Sequence, residues 1–201
     1  MTIEPAPPLS ASLLGVLRLP DVRGTSFLTH VSGGGLVWSV CREDGRFDTW
    51  AVSPSLGLKA ILSRLGAPVS ALAELPGGAW ALAVGARILV VDAQTRAVIK
   101  TLRGHRQGGI IWSLTSVSGD RLVSRSTDGT ARLWNITRSR ELHQLDAGEI
   151  LGAEVGADPN DPEAVLVLTR PEPSDPGVVA LRDLARDGLQ RPLPRLTPED
   201  S

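Results

Sequence analysis

The chain has 201 residues, room for one sizeable domain or two very small ones. Hydrophobic residues make up 42% and charged residues 21%, a mix that excludes a disordered chain and suits a packed core. A net charge of −1 excludes a broad field for nucleic acid or acidic membranes.

In chain order, residues 1–11 are expected to be a flexible lead. They are Pro-rich and lack the basic start and apolar run of a secretory signal. No stretch reaches the roughly 18 apolar residues that span a bilayer, so the expectation is a cytoplasmic protein. Ser12–Leu19 is predicted to be an outer strand. Four similar units follow, at about 26–65, 69–103, 110–146 and 150–196, with a tail at 197–201.

The first unit is predicted to hold strands Ser26–Val31, Leu36–Cys41, Arg46–Val52 and Leu58–Leu65. The apolar spacing of Ile61, Leu62 and Leu65 also fits a helix there. Cys41, the lone cysteine, excludes an intrachain disulfide and a multi-cysteine zinc site, and is expected in the core. The second unit takes Val69–Leu75, Ala79–Gly85, Arg87–Ala93 and Ala97–Arg103. The third takes Ile110–Val117, Arg121–Ser126, Thr130–Ile136 and Glu141–Asp146. The last takes Ile150–Ala157, Ala164–Arg170, Gly177–Asp183 and Leu189–Leu196. Its prolines, Pro159, Pro162, Pro171, Pro173 and Pro176, predict irregular edges.

The third unit is the clearest. Asp128-Gly129 is a strong hairpin signal, because Gly tolerates positive φ and Asp bonds its own turn. Leu122, Ser124 and Ser126 point to one face, Val123 and Arg125 to the other. Asp44-Gly45 precedes Trp50 at the interval that separates Asp128-Gly129 from Trp134. Val91 and Leu181 take the Trp place in the remaining units. These positions recur roughly every 40–50 residues, the length of a four-stranded propeller blade. The predicted fold is therefore all-β: a β-propeller of about four antiparallel, four-stranded blades.

Gly104-His105, Ile111-Trp112-Ser113-Leu114, Ser124-Arg125-Ser126-Thr127-Asp128-Gly129-Thr130 and Leu133-Trp134-Asn135 together closely resemble a WD repeat. The resemblance covers one blade fully and the Trp50 blade in part; the other blades lack Gly-His. It implies a buried network in which Trp134 Nε1–H donates to Ser126, Ser126 meets His105, and Asp128 holds His105. Ser124 is the alternative serine. A buried indole N–H needs an acceptor, and a buried imidazole needs a fixed tautomer. The same trio superficially suits a hydrolase triad, but no Gly-x-Ser-x-Gly elbow accompanies it.

The resemblance also implies a non-catalytic scaffold for a protein or peptide partner, gripped on a loop face that includes Arg106, Trp112, Arg125 and Thr127. The alternative is a propeller hydrolase, lactonase- or glycosidase-like, with a central polar site. His30, His105 and His143 show no ligand spacing, and Asp48, Asp92 and Asp183 look like turn starters. No metal and no cofactor is expected. Nucleic acid is not an expected partner, given few aromatics and Gly33-Gly34-Gly35 without a following Lys-Ser/Thr. Four blades are few for this family. The expectations are a small closed ring, a fragment of a larger WD-repeat protein, or an arc completed by a second copy or another propeller segment.

Overall fold

The computed structural model describes residues 21–32, 34–53, 57–117, 120–146, 150–158, 161–169, 180–183 and 190–192, with side chains through Gln144. The predicted lead, the strand Ser12–Leu19 and the tail lie outside these residues.

Among the described residues, sixteen strands form four antiparallel meanders. Sheet I is β1 (Val22–Val31), β2 (Gly35–Arg42), β3 (Phe47–Val52) and β4 (Leu58–Leu65). Sheet II is β5 (Val69–Leu75), β6 (Ala79–Val84), β7 (Arg87–Asp92) and β8 (Val98–Arg103). Sheet III is β9 (Ile111–Val117), β10 (Arg121–Ser126), β11 (Thr130–Asn135) and β12 (Arg140–Asp146). Sheet IV is β13 (Ile150–Asp158), β14 (Asp161–Thr169), β15 (Ala180–Asp183) and β16 (Gln190–Pro192). In sheet IV, Leu181 pairs with Leu168. The first strands adjoin in turn, β1 by β5, β5 by β9, and β9 by β13, so they form the inner edge of the stack.

The sequence pattern explains the packing. In β5, buried and partly exposed residues alternate, and the bulge at Ser70 lets Val69 pack toward sheet I while Ala71 and Ala73 pack toward sheet III. In β6, Ala81, Leu82, Ala83 and Val84 are all buried, because sheet II is covered on both sides. Its small face, with Ala71, Ala73, Ala81 and Ala83, receives Ile111, Leu114, Leu122 and Trp134 from sheet III. Its other face, with Val69, Leu82, Val84 and Val91, packs on Val31, Val37, Ile61 and Leu62 of sheet I. Small residues of sheet II thus face large ones of sheet III, the pairing that lets two surfaces interdigitate. Each fully buried aliphatic side chain is worth about 1.5–3 kcal/mol.

Backbone and side-chain bonds stitch the sheets together. Ile111 N donates to Gly85 O at 3.1 Å, and Ser70 Oγ donates to Ile111 O, joining II to III. Ser32 Oγ donates to Glu74 on β5, joining I to II.

One open alternative is settled and two expectations are corrected. Leu58–Leu65 is a strand, as predicted, although its apolar spacing also fits a helix. Its register with β3 skips Ile61, passing from Thr49↔Leu62 to Trp50↔Ala60. That bulge buries the neighbours Ile61 and Leu62 together and mimics helical spacing. Cys41 is half-buried rather than a core residue, near the exposed end of a long hairpin. Trp50 does not occupy the position of Trp134. Trp134 pairs with Leu122, and Val91 with Trp80. Counting from the β1–β2 turn, the matching pair in sheet I is Leu36↔Val52. The β2–β3 hairpin extends further than its counterparts, so its Asp-Gly turn is displaced and Trp50 falls in the place of Arg132.

Candidate functional site at the loop end of sheets II and III

The β8–β9 loop and the β10–β11 turn meet at one end of sheet III. Asp128 organises both. Its Oδ2 accepts from His105 Nδ1 at 2.9 Å and from the Arg106 amide at 2.8 Å. Its Oδ1 accepts from the Thr130 amide and hydroxyl at 3.0 and 2.8 Å. Burial works to raise the Asp128 pKa. Hydrogen bonds from Arg106 N, Thr130 and His105 outweigh it and hold the carboxyl well below the usual range.

On the other side of the imidazole, His105 Nε2 lies 2.7 Å from Ser124 Oγ, and Trp134 Nε1 donates to the same oxygen at 2.8 Å. The donors and acceptors fit one direction of flow. The indole donates to Ser124, Ser124 donates to Nε2, and Nδ1–H donates to Asp128. That is a neutral imidazole in its Nδ1–H form. Burial lowers the His105 pKa, opposed by Asp128, so the neutral form persists at neutral pH.

The serine assignment is corrected: the acceptor is Ser124, not Ser126. Trp134 stands opposite Leu122, so Ser124 is its diagonal neighbour on the same face. Ser126 is four residues from Leu122, roughly 13 Å along the strand. Ser126 Oγ accepts from the Asp128 amide at 3.2 Å and so supports the turn. Gly104 completes the pocket. A Cβ there would lie 2.8 Å from both Trp134 Cη2 and Glu141 Oε2, so the chain turns past the indole only without a side chain.

The four residues expected on the partner face fall into two pairs. Thr127 clamps the loops together: its amide donates to Ile110 O and its Oγ1 accepts from Ile110 N, both at 2.9 Å. Arg106 is exposed, and only its amide is tied to the turn. Trp112 and Arg125 form the second pair. The β9–β10 register passes from Arg125↔Ser113 to Ser126↔Ile111, leaving Trp112 as the extra residue of a bulge. The indole is 44% exposed, and the Arg125 guanidinium sits 4.2 Å from its ring centroid. Arg125 is buried, so the stack fixes the ring from beneath.

The same bulge recurs within β1 and at the start of β5, where the skipped residues are Ser26 and Ser70. Sequence reading missed this register slip, because nothing in residues 111–113 marks it. It also missed the cleft of about 720 Å³ beside the site, between the loop ends of sheets II and III. Its lining includes Arg87, Arg103, His105, Gln107 and Ile110. Among the described residues, no three His, Cys, Asp or Glu side chains cluster as a metal site requires.

Stacked four-stranded meanders with inner first strands, one of them carrying an internal Trp–Ser–His–Asp chain, define the fold of the WD-repeat β-propellers. No family model matches the chain, and no curated protein matches it by sequence. Solved structures do. The RRP9 WD40 repeats match with a TM-score of 0.56 at 19% identity, over 83% of this chain and 50% of that one. A chain of the mitotic checkpoint complex matches with a TM-score of 0.60 at 12% identity, over 95% of this chain and 59% of that one. The chain thus spans between half and three-fifths of the length of these structures.

Proposed function

We propose that the chain is a non-catalytic scaffold that holds a protein or peptide partner on the loop end of sheets II and III. The carrying observation is Trp112: a large aromatic side chain, pushed out by a bulge, 44% exposed and braced by a buried arginine. Rigid aromatic side chains of this kind anchor interfaces at low entropic cost. Arg106 lies on the adjoining loop as a charged rim residue.

A non-catalytic role is supported by the state of the serine–histidine pair. Ser124 is fully buried, and its hydroxyl is used by the indole and by Nε2, which leaves no approach for a substrate carbonyl. In this reading a second copy, or another propeller segment, supplies the remaining part of a ring. A second copy would make light scattering report an assembly larger than 21.3 kDa, whereas completion by another segment would leave the isolated chain at that mass.

The test of the face is Trp112→Ser, which installs the residue found at the matching bulge in β1 and β5. The variant should keep the wild-type melting temperature and lose partners that the wild type retains from native lysate. Retention of every such partner by a folded Trp112→Ser protein would remove the face from consideration.

A further inference from the structure

The cleft beside the site has a charge arrangement that the fold itself does not use. Arg87 opens β7 and Arg103 closes β8, and the two stand directly opposite one another in the ladder. Like charges in that position destabilise a sheet. Both side chains are exposed, and neither has an ion pair or side-chain hydrogen bond among the described residues. The equivalent rungs differ. Sheet III places Thr130 opposite Asp146. In sheet I the matching residue is Asp48, whose carboxylate is paired with Arg42 at 2.8 Å. Only sheet II, among these three, sets two cations side by side.

Both arginines line the cleft, and no carboxylate is among its described lining residues. Two acids that flank the β8–β9 loop, Asp128 beside Gly109 and Glu141 beside Gly104, are committed elsewhere. Asp128 directs its oxygens at His105, Thr130 and the Arg106 amide, and Glu141 is paired with Arg132. Gln107 adds an uncharged donor to the lining, and Ile110, 48% exposed, adds an apolar contact.

We infer that this cleft is an anion-recognition site for a peptide, with Arg87 and Arg103 jointly holding a carboxylate or phosphate group of the partner. Two guanidinium forks on adjacent strands suit the oxygens of one such group, and its arrival relieves the repulsion between them. A peptide is favoured over nucleic acid because the chain carries a net charge of −1 and the cationic element is two residues wide. The inference deepens the partner-holding proposal and rests on it, but uses residues that the Trp112 test leaves untouched.

The experiment uses fluorescence anisotropy of four labelled probes on the full chain. They are a hexaglutamate peptide, an otherwise neutral peptide carrying one phosphoserine, the same peptide with serine, and a hexathymidylate. One or both anionic peptides should bind at least tenfold tighter than the serine peptide, and the preferred one identifies carboxylate or phosphate. Affinity should fall as salt rises from 50 to 300 mM. Arg87→Gln/Arg103→Gln should abolish the preference, and Arg138→Gln, elsewhere on the exposed surface, should leave it intact. The double variant should also melt at or above the wild-type temperature at low salt, since it removes a repulsion. Equal binding of phosphoserine and serine peptides with no hexaglutamate binding, or an unchanged preference in the double variant, overturns the inference. So does tighter binding of the hexathymidylate. If the anionic peptides fail while Trp112→Ser still loses partners, the cleft assignment falls and the partner-binding face stands. If the peptides bind and Trp112→Ser loses nothing, the reverse holds.

Discussion

Sheets II and III share a register and differ in chemistry. Measured from the bulge on the first strand, Leu82 of II matches Ser124 of III, Val91 matches Trp134, and Ser70 matches Trp112. Sheet II is held by apolar packing on both faces. Sheet III replaces part of that packing with a polar chain that ends on a buried carboxylate. The frame therefore does not need the polar chain. What the chain adds is anchorage: it ties the β8–β9 loop and the β10–β11 turn to the sheet interior. The sheet that carries the exposed aromatic residue is the one whose loops are fastened.

The largest effect that breaks this comparison is Trp134→Ala. It empties the space opposite four alanines and removes the donor of the chain, and should cost about 3–5 kcal/mol by urea denaturation. Ser124→Ala should cost about 1–3 kcal/mol, because the indole N–H and His105 Nε2 both lose their partner. Ser126→Ala removes only one acceptor at a turn and should cost about 0.5–1.5 kcal/mol. If those two costs were reversed, the geometry around Trp134 would be wrong.

A smaller effect comes from pH. Burial holds the folded His105 pKa below its ordinary value of about 6.5. As pH falls, the unfolded chain takes up the proton first, so stability present above about pH 6.5 is lost as pH descends through the folded value. The melting temperature should drop between pH 7 and pH 5, and His105→Gln should flatten that slope. Asp128, also depressed, adds a second loss below about pH 3.9. The smallest effect on stability is that of Trp112→Ser, within about 0.5 kcal/mol, since the bulge sets this residue outside the ladder and leaves it 44% exposed.

Strand positions were legible because alternation and Gly-rich turns mark them. The Asp128-Gly129 hairpin and the His105–Asp128 contact followed from residue types at family spacing. The serine was misassigned because Ser124 and Ser126 share a face, and only the register decides between them. Trp50 was misplaced because a turn motif locates a hairpin tip, whereas the sheet is aligned from its inner edge. Bulges were invisible: an extra residue on one strand leaves no signature when its neighbours keep alternating. The Arg87–Arg103 rung is likewise a property of pairing across a turn, not of either segment alone.

The three aligned bulges give the inner edge a division of labour. Residues 26, 70 and 112 leave the ladder at the same step, so whatever stands there projects without disturbing the rungs on either side. Serine folds back onto nearby carbonyls in two sheets, while tryptophan reaches outward in the third. These sites behave as sockets with different duties: the occupant at 112 sets what the surface presents, whereas the serine at 70 also fastens sheet II to sheet III through Ile111 O.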